Sequence, residues 1–234
     1  MNLYKENLTL EMACEWRPHI WSHAVQWAFD GVSPFAPKGS KVLEVGFNSG
    51  MMSCYMAQKF DWEVFGHDVT TEQVVCAEEL SESYGLSDKT HFFRTPPRST
   101  FSIEGEFDVI FIKSVLFHIR DEEVYKDWLE WLRSKLRHSG RLIVVENCEG
   151  HFLDKVYRKY IQKNNSWHDC LLFNRDRLGD FQSSFRSVEY KGFGGFSQYF
   201  EMIPYLHKFT SWLDEVFFWK SVNKSFVVSL VCMK

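Results

Sequence analysis

No uninterrupted apolar run in this chain approaches the ~20 residues that a membrane-spanning helix needs, which excludes an integral helical membrane protein. An excess of basic charge is missing as well. Twenty-seven Lys and Arg stand against 31 Asp and Glu, a formal net charge of -4, and acids interrupt the bases throughout. That balance lacks the electrostatic footprint of a nucleic-acid binder, so no nucleic-acid partner is expected. Cysteines never pair as Cys-x-x-Cys: Cys14, Cys54, Cys76, Cys148, Cys170 and Cys232 are widely spread. Scattered thiols argue against a disulfide framework and against a cysteine metal site, so no metal is expected. Met1–Glu6 shows no basic stretch leading into an apolar one, and the expected setting is a reducing cytoplasm. Repeats and low-complexity segments are lacking, and nothing in the pattern reports an oligomeric state. Aromatic residues are what the chain has in plenty. The 22 Phe, 9 Trp and 9 Tyr exceed what one small core needs, so some of them are expected to line a pocket.

From Lys41 onward, strand-like runs alternate with helical patterns, the mark of a mostly parallel α/β sheet with helices on both faces. Strands are expected at Lys41–Val45, Glu63–His67, His91–Arg94, Phe107–Ile112, Arg141–Val145, Ser187–Tyr190 and Phe226–Val231. Thr70 with Gln73 forms a capping box ahead of Val74, Ala77 and Leu80. Asp121 caps a helix carrying Val124, Trp128, Leu132 and Leu136, which Gly140 should end after Lys135, Arg137 and His138. Two segments fall outside the alternation. Leu8–Phe29 reads as one helix with Trp16, Ile20, Ala24 and Trp27 on one side, and Ile203–Trp219 carries a second apolar stripe. The expected organisation is a single domain: residues 1–38 an N-terminal helical cap, 39–150 a ligand-binding core, and 151–234 a substrate-side lid with the last strands.

Val42-Leu43-Glu44-Val45-Gly46-Phe47-Asn48-Ser49-Gly50 is the most informative stretch. A strand ends in an acid and passes through a glycine-bounded turn into a helix, placing backbone N–H groups in the crevice where open α/β sheets bind ligands. The second strand closes on Asp68, 24 residues after Glu44, where a carboxylate accepts the two hydroxyls of a ribose. A dinucleotide would need Gly-x-Gly-x-x-Gly without a preceding anion, whereas Gly-x-x-x-Gly behind Glu44 suits an ammonium or sulfonium ligand.

These residues resemble the class I S-adenosylmethionine-dependent methyltransferases. Glu44-x-Gly46-x-x-x-Gly50 is similar to their first motif and Asp68 to their ribose-binding acid. Phe107-Asp108-Val109-Ile110 through Ser114-Val115-Leu116-Phe117-His118-Ile119 is similar to the fourth-strand motif, and Leu132–Leu142 to the helix, turn and strand that follow. The resemblance covers Lys41 to Asn147 and implies a Rossmann-like, mostly parallel seven-stranded sheet, with an N-terminal helical cap and a late helical lid. It implies S-adenosyl-L-methionine as cofactor, with Glu44, Gly46, Phe47, Asn48, Gly50, Asp68 and Ser114 around it. Two departures stand out: Asn48 replaces a third glycine, and Thr95-Pro96-Pro97-Arg98 stands where an adenine-binding acid often lies.

The activity so implied is methyl transfer to an oxygen or nitrogen of a small-molecule substrate. Two alternatives keep the cofactor: cyclisation of its aminobutyrate arm, or a binding subunit without catalysis. Methyl transfer is an in-line displacement, so positioning outweighs any dedicated catalytic motif. His118 beyond the fourth strand, and Asn147 and His151 beyond the fifth, are candidate catalytic groups; Glu146 and Glu149 share the latter region. Tyr4, Trp16 and His19, together with Tyr199 and Tyr205, are candidate substrate contacts, the cap and lid jointly roofing the pocket.

Overall fold

The computed structural model describes residues 7–95, 103–150, 171–200, 203–217 and 220–234. Seven strands form one sheet: β1 (Lys41–Val45), β2 (Glu63–Asp68), β3 (Thr90–Arg94), β4 (Phe107–Lys113), β5 (Leu136–Asn147), β6 (Ser187–Phe193) and β7 (Val227–Met233). Their order is β3-β2-β1-β4-β5-β7-β6. All pairings are parallel except those of β7, which runs antiparallel to both β5 and β6. Chain order reverses between β1 and β4, and the crevice above that switch point is where ligands of such sheets bind.

Both faces of the central strands are buried, which explains their continuous apolar runs. Val42, Val109, Phe111, Ile143 and Val145 meet α1 (Leu10–Cys14), α2 (Pro18–Val32) and α3 (Met51–Phe60) on one face. Leu43, Ile110, Ile112, Leu142 and Val144 meet α5 (Glu122–Lys135) and α6 (Arg175–Ser184) on the other. Phe29 of α2 is fully buried and contacts the rings of Tyr55, Phe60, Trp62 and Phe111. Much of the aromatic excess is therefore core.

Capping follows the sequence closely. Thr70 accepts from the Gln73 amide at the start of α4 (Thr71–Tyr84), and Asp121 accepts from the Glu123 and Val124 amides of α5. Three expectations need correction. The N-terminal helix breaks after Cys14, with Glu15 and Arg17 at φ 59° and 44° and Pro18 opening α2; Pro18 lacks the N–H that would continue the first helix. Gly140 does not end α5. It lies inside β5 beside an irregularity opposite Phe107–Val109, where a Cβ would meet the Phe107 and Arg137 carbonyls at 3.1 and 3.0 Å.

The late helix, α7 (Pro204–Phe217), turns its polar side inward. Buried Asp214 accepts from the Phe196 and Ser197 amides at 2.6 and 2.9 Å, while Leu206, Phe209, Trp212 and Val216 are exposed. Its apolar stripe is thus not its packing face, because two charge-assisted hydrogen bonds anchor the opposite side.

Replacing Phe29 by Ala should cost about 3–5 kcal/mol of unfolding free energy, since four ring contacts close only partly over the void. Urea denaturation monitored by tryptophan fluorescence measures this, and a loss below ~1 kcal/mol would place Phe29 outside the core.

Candidate active site

A cleft of about 980 Å³ opens at the C-terminal ends of β1, β2 and β4. Its floor is the turn from Gly46 to Gly50, built in left-handed steps: Gly46, Asn48 and Gly50 have φ of 75°, 52° and 81°. A Cβ on Gly46 would lie 2.5 Å from Val115 Cγ2, and one on Gly50 would lie 2.5 Å from the Ala77 Cβ. Gly50 therefore admits α4. Asn48, standing where a third glycine is common, adopts the left-handed region that Asn tolerates better than most side chains.

Asp68 organises this floor. One carboxylate oxygen accepts from the Asn48 amide at 3.0 Å, and the other accepts from the Val69 and Thr70 amides at 2.7 and 3.3 Å. The carboxylate still borders the cleft. Glu44 lies deeper, at 3% exposure, with the Ser53 hydroxyl donating to it. Burial pushes the Glu44 carboxyl up to about 8, with Ser53 and Lys113 opposing the rise and Glu15 and Asp68 adding to it. Phe47 contributes to the cleft wall and packs against Phe92 at 4.9 Å. Ser114, also on the wall, has φ 56° and donates its amide to the Val145 carbonyl.

Of the candidate catalytic groups, His118 lines the cleft. Burial and nearby Arg120 lower its pKa, favouring the neutral ring. Asn147 is buried, lies outside the cleft wall, and reaches Ser114 Oγ through its side-chain amide at 3.4 Å. His151 and Tyr4 lie outside the described residues. Glu146 is buried beneath the wall, where one oxygen accepts from the Val115 and Leu116 amides at 2.8 and 2.7 Å. Burial raises its carboxyl to about 7 against those backbone hydrogen bonds.

The expected substrate contacts stand apart from the cleft. Trp16 packs on Phe226 and Trp21, exposed His19 sits 3.6 Å from the Glu11 carboxylate, and Tyr199 and Tyr205 are exposed. None of the four lines the cleft. Of the expected roof, the end of α1 does reach the cleft, through Ala13 and Glu15. Described residues of α7 instead line a separate cavity of about 500 Å³ with α2 and β6, because Asp214 anchors the helix there.

Sequence reasoning missed Glu15 and Lys113. Glu15 accepts from Asn48 Nδ2 at 3.1 Å and from Ser49 Oγ at 2.5 Å, binding the end of α1 to the turn. Lys113, at the end of β4, lines the cleft and donates to the Cys14 carbonyl at 3.4 Å. Pro18 alone hinted that the first helix stops near the site. The remaining wall is largely apolar, with Val45, Met52, Val69, Val115, Ile119, Val124 and Trp128. His67 borders it too, its Nδ1 2.6 Å from Thr95 Oγ1.

Residues 42–140 match the family described as a methyltransferase domain. The match spans less than half of the chain, and over those residues the chain is similar to that family. Over 140 residues it is 30% identical to phosphoethanolamine N-methyltransferase 1 of Arabidopsis thaliana and 29% identical to that of Triticum aestivum. Each match covers 58% of this chain and 27% of the relative, so the chain spans only about a quarter of those relatives' length. Among solved structures, the Haemonchus contortus phosphoethanolamine N-methyltransferase 2 in complex with S-adenosyl-L-methionine superposes with a TM-score of 0.60 at 15% identity, covering 96% of this chain and 56% of that one. The [4+2]-cyclase SpnF superposes at 0.62 with 16% identity, covering 92% and 83%. These likenesses establish the fold, which by itself does not set a reaction.

The cleft's geometry suits a nucleoside-containing ligand. The left-handed turn leaves no room for side chains where backbone faces a ligand, buried Glu44 waits at one end, and Asp68 borders the other strand. A buried carboxyl without a cation beside it is held protonated, which gives a pH signature. Folded Glu44 titrates near 8 and the unfolded residue near 4.5, so its contribution to stability is complete at low pH and is lost as pH rises between those values. Glu44→Gln removes this titration. The ligand-free variant should gain stability relative to wild type steadily from about pH 5 to about pH 8. Urea denaturation at several pH values tests this; parallel profiles would show Glu44 to be ionised and paired.

Proposed function

We propose that this chain transfers the methyl group of S-adenosylmethionine to a nitrogen or oxygen of a small-molecule acceptor. The carrying observation is the cleft itself, a left-handed glycine turn flanked by buried Glu44 and by Asp68, at the switch point of the sheet. When bound, the cofactor supplies an electrophilic methyl carbon on sulfur and a neutral thioether leaving group. The chain's own residues supply position. In this reading Asp68 receives the ribose hydroxyls while keeping the turn in place, and Glu44 faces the cationic amino end. His118, held toward its neutral form, accepts a proton from an acceptor N–H or O–H. The apolar wall around Val115, Ile119 and Trp128 excludes water from the reacting centre.

Relatives named phosphoethanolamine N-methyltransferases support nitrogen as the accepting atom. A small acceptor fits the cleft's volume. A net charge of -4 supports a partner other than nucleic acid. Among the described residues no helix is long and apolar enough to cross a membrane. Cys14, Cys54, Cys76, Cys148 and Cys232 are free thiols, which supports action in a reducing cytoplasm.

Incubation with cofactor carrying an isotopically labelled methyl group and a pool of small metabolites, followed by mass spectrometry, should yield a labelled N- or O-methyl product. Label left entirely on the cofactor or on its fragments would overturn the reading. Asp68→Ala should weaken cofactor binding by about 10-fold or more, because charge-assisted acceptors vanish at both the turn and the ligand. Gly46→Val should do the same, since its Cβ would collide with Val115. Calorimetric affinities equal to wild type in folded variants would move the cofactor off this turn.

A further inference from the structure

The outer side of α7 is an apolar surface away from the cleft, and the cleft does not explain it. Tyr205, Leu206, Phe209, Trp212, Val216 and Phe217 are between 43% and 90% exposed. Together they leave several hundred Å² of apolar surface in water, more than a monomer ordinarily carries and of the order that one side of a stable dimer covers, about 800 Å². Thr210 and Asp214 are buried on the opposite side, and Asp214 accepts from the Phe196 and Ser197 amides at 2.6 and 2.9 Å. Those bonds prevent the helix from rolling to hide its stripe.

Once Asp214 has settled which face is exposed, the spacing on that face becomes informative. Tyr205, Phe209, Trp212 and Val216 recur at intervals of four, three and four residues, the a and d positions of a heptad seam. The Phe209 and Trp212 rings stack with centroids 6.1 Å apart, so the middle of the seam is already ordered. Lys208 and Glu215 stand two turns apart on one flank, at g positions, and both border the cavity shared with α2 and β6. Glu215 accepts from Lys191 at 2.9 Å, yet its side chain is 63% exposed and has room for a second donor. One acid among these bases leaves little net charge with which to hold an anionic lipid surface. We infer that α7 is an interaction surface for a second copy of this chain, the two helices pairing antiparallel about Phe209 and Trp212. Phe209 then meets the partner's Trp212 and Tyr205 the partner's Val216, each contact made twice about a two-fold axis. In an antiparallel pair g faces g, so Lys208 reaches the partner's Glu215 on both sides. A parallel pair would set Lys208 against the partner's Leu213 and lose both ion pairs. Because the domain already holds α7 helical, pairing bears none of the ordering cost that makes an isolated helix of 14 residues marginal.

Sedimentation velocity of the full chain over about 1–100 μM should show a species of twice the 27.8 kDa chain mass growing with concentration. Trp212→Glu should weaken the dimer about 100-fold or more, since a charge replaces a central aromatic anchor, with circular dichroism showing the exposed substitution to leave the fold intact. Lys208→Glu and Glu215→Lys should each weaken self-association about 10-fold, because each sets like charges against each other twice. An equimolar mixture of those two variants should recover the wild-type affinity as a heterodimer, in which both ion pairs are again of opposite sign. A chain that stays monomeric at about 100 μM overturns the inference. So does a dimer indifferent to Trp212→Glu, or a mixture of the two charge variants no tighter than either alone. Binding of the monomer to phosphatidylserine vesicles through Trp212 would assign the face to a lipid surface instead and overturn it as well. None of these measurements requires turnover, so their outcome is independent of the methyl-transfer reading.

Discussion

The hold of one carboxylate on three backbone amides organises the site. Asp68 ends β2, yet it grips the Asn48 amide of the turn after β1 as well as Val69 and Thr70 at the entrance to α4. Hydrogen bonds to a charged acceptor are roughly twice as strong as neutral ones. Here they set the spacing between two adjacent strand ends, and that spacing is the width of the cleft. The Gly46 amide adds a bond to the His67 carbonyl at 2.7 Å, so neighbouring residues of β2 pin both ends of the first half-turn. With the turn fixed there, Val115 has room against Gly46 only because no Cβ is present.

Consequences run outward from that contact. Val115 and Leu116 cannot shift freely, because the buried Glu146 carboxylate holds both of their amides from the end of β5. Three adjacent strands, β1, β4 and β5, are thereby tied through side chains at their C-terminal ends, in addition to the ladder bonds between them. The cost is two buried carboxyls, Glu44 and Glu146, whose ionised forms are poorly solvated. In the proposed reading, Glu44 gains its compensation from a cationic ligand. Glu146 lies outside the cleft wall and relies chiefly on backbone donors, with the charge of Lys113 adding a smaller favourable contribution.

This division explains what was legible in the sequence. Local features announce themselves: apolar runs buried on both faces, the Thr70 and Asp121 caps, and glycines whose conformation only glycine adopts without penalty. Asp68 was legible because its distance from Glu44 is set by one intervening helix and strand. Glu15 and Lys113 were not. Their partners lie 33, 34 and 99 residues away, and neither residue type nor spacing marks an exposed acid or a strand-end lysine as special. The late helix misled for a different reason. Periodicity identifies two faces of α7 but not which one packs, and Asp214 decided the matter through two amides that only the fold brings near. Tyr199 and Tyr205, read from the same aromatic richness, followed that helix and its neighbouring turn to the surface.

The N-terminal cover depends on the site as much as the site depends on it. Helix α1 has five residues, too few to be stable by backbone bonding alone. What holds it is the burial of Ala13 and Cys14, the Glu15 bonds to Asn48 and Ser49, and the Lys113 bond to its last carbonyl. Each of those three attachments includes a residue that lines the cleft. Whatever occupies the cleft therefore acts on the same side chains that dock the cover. A ligand that draws Lys113 or Asn48 toward itself changes the seat of α1 directly, through contacts and without any need for a longer path. Because Pro18 and the left-handed residues before it separate α1 from α2, such a change stays confined to this first turn, while α2 remains packed on the sheet through Trp21, Val25 and Phe29.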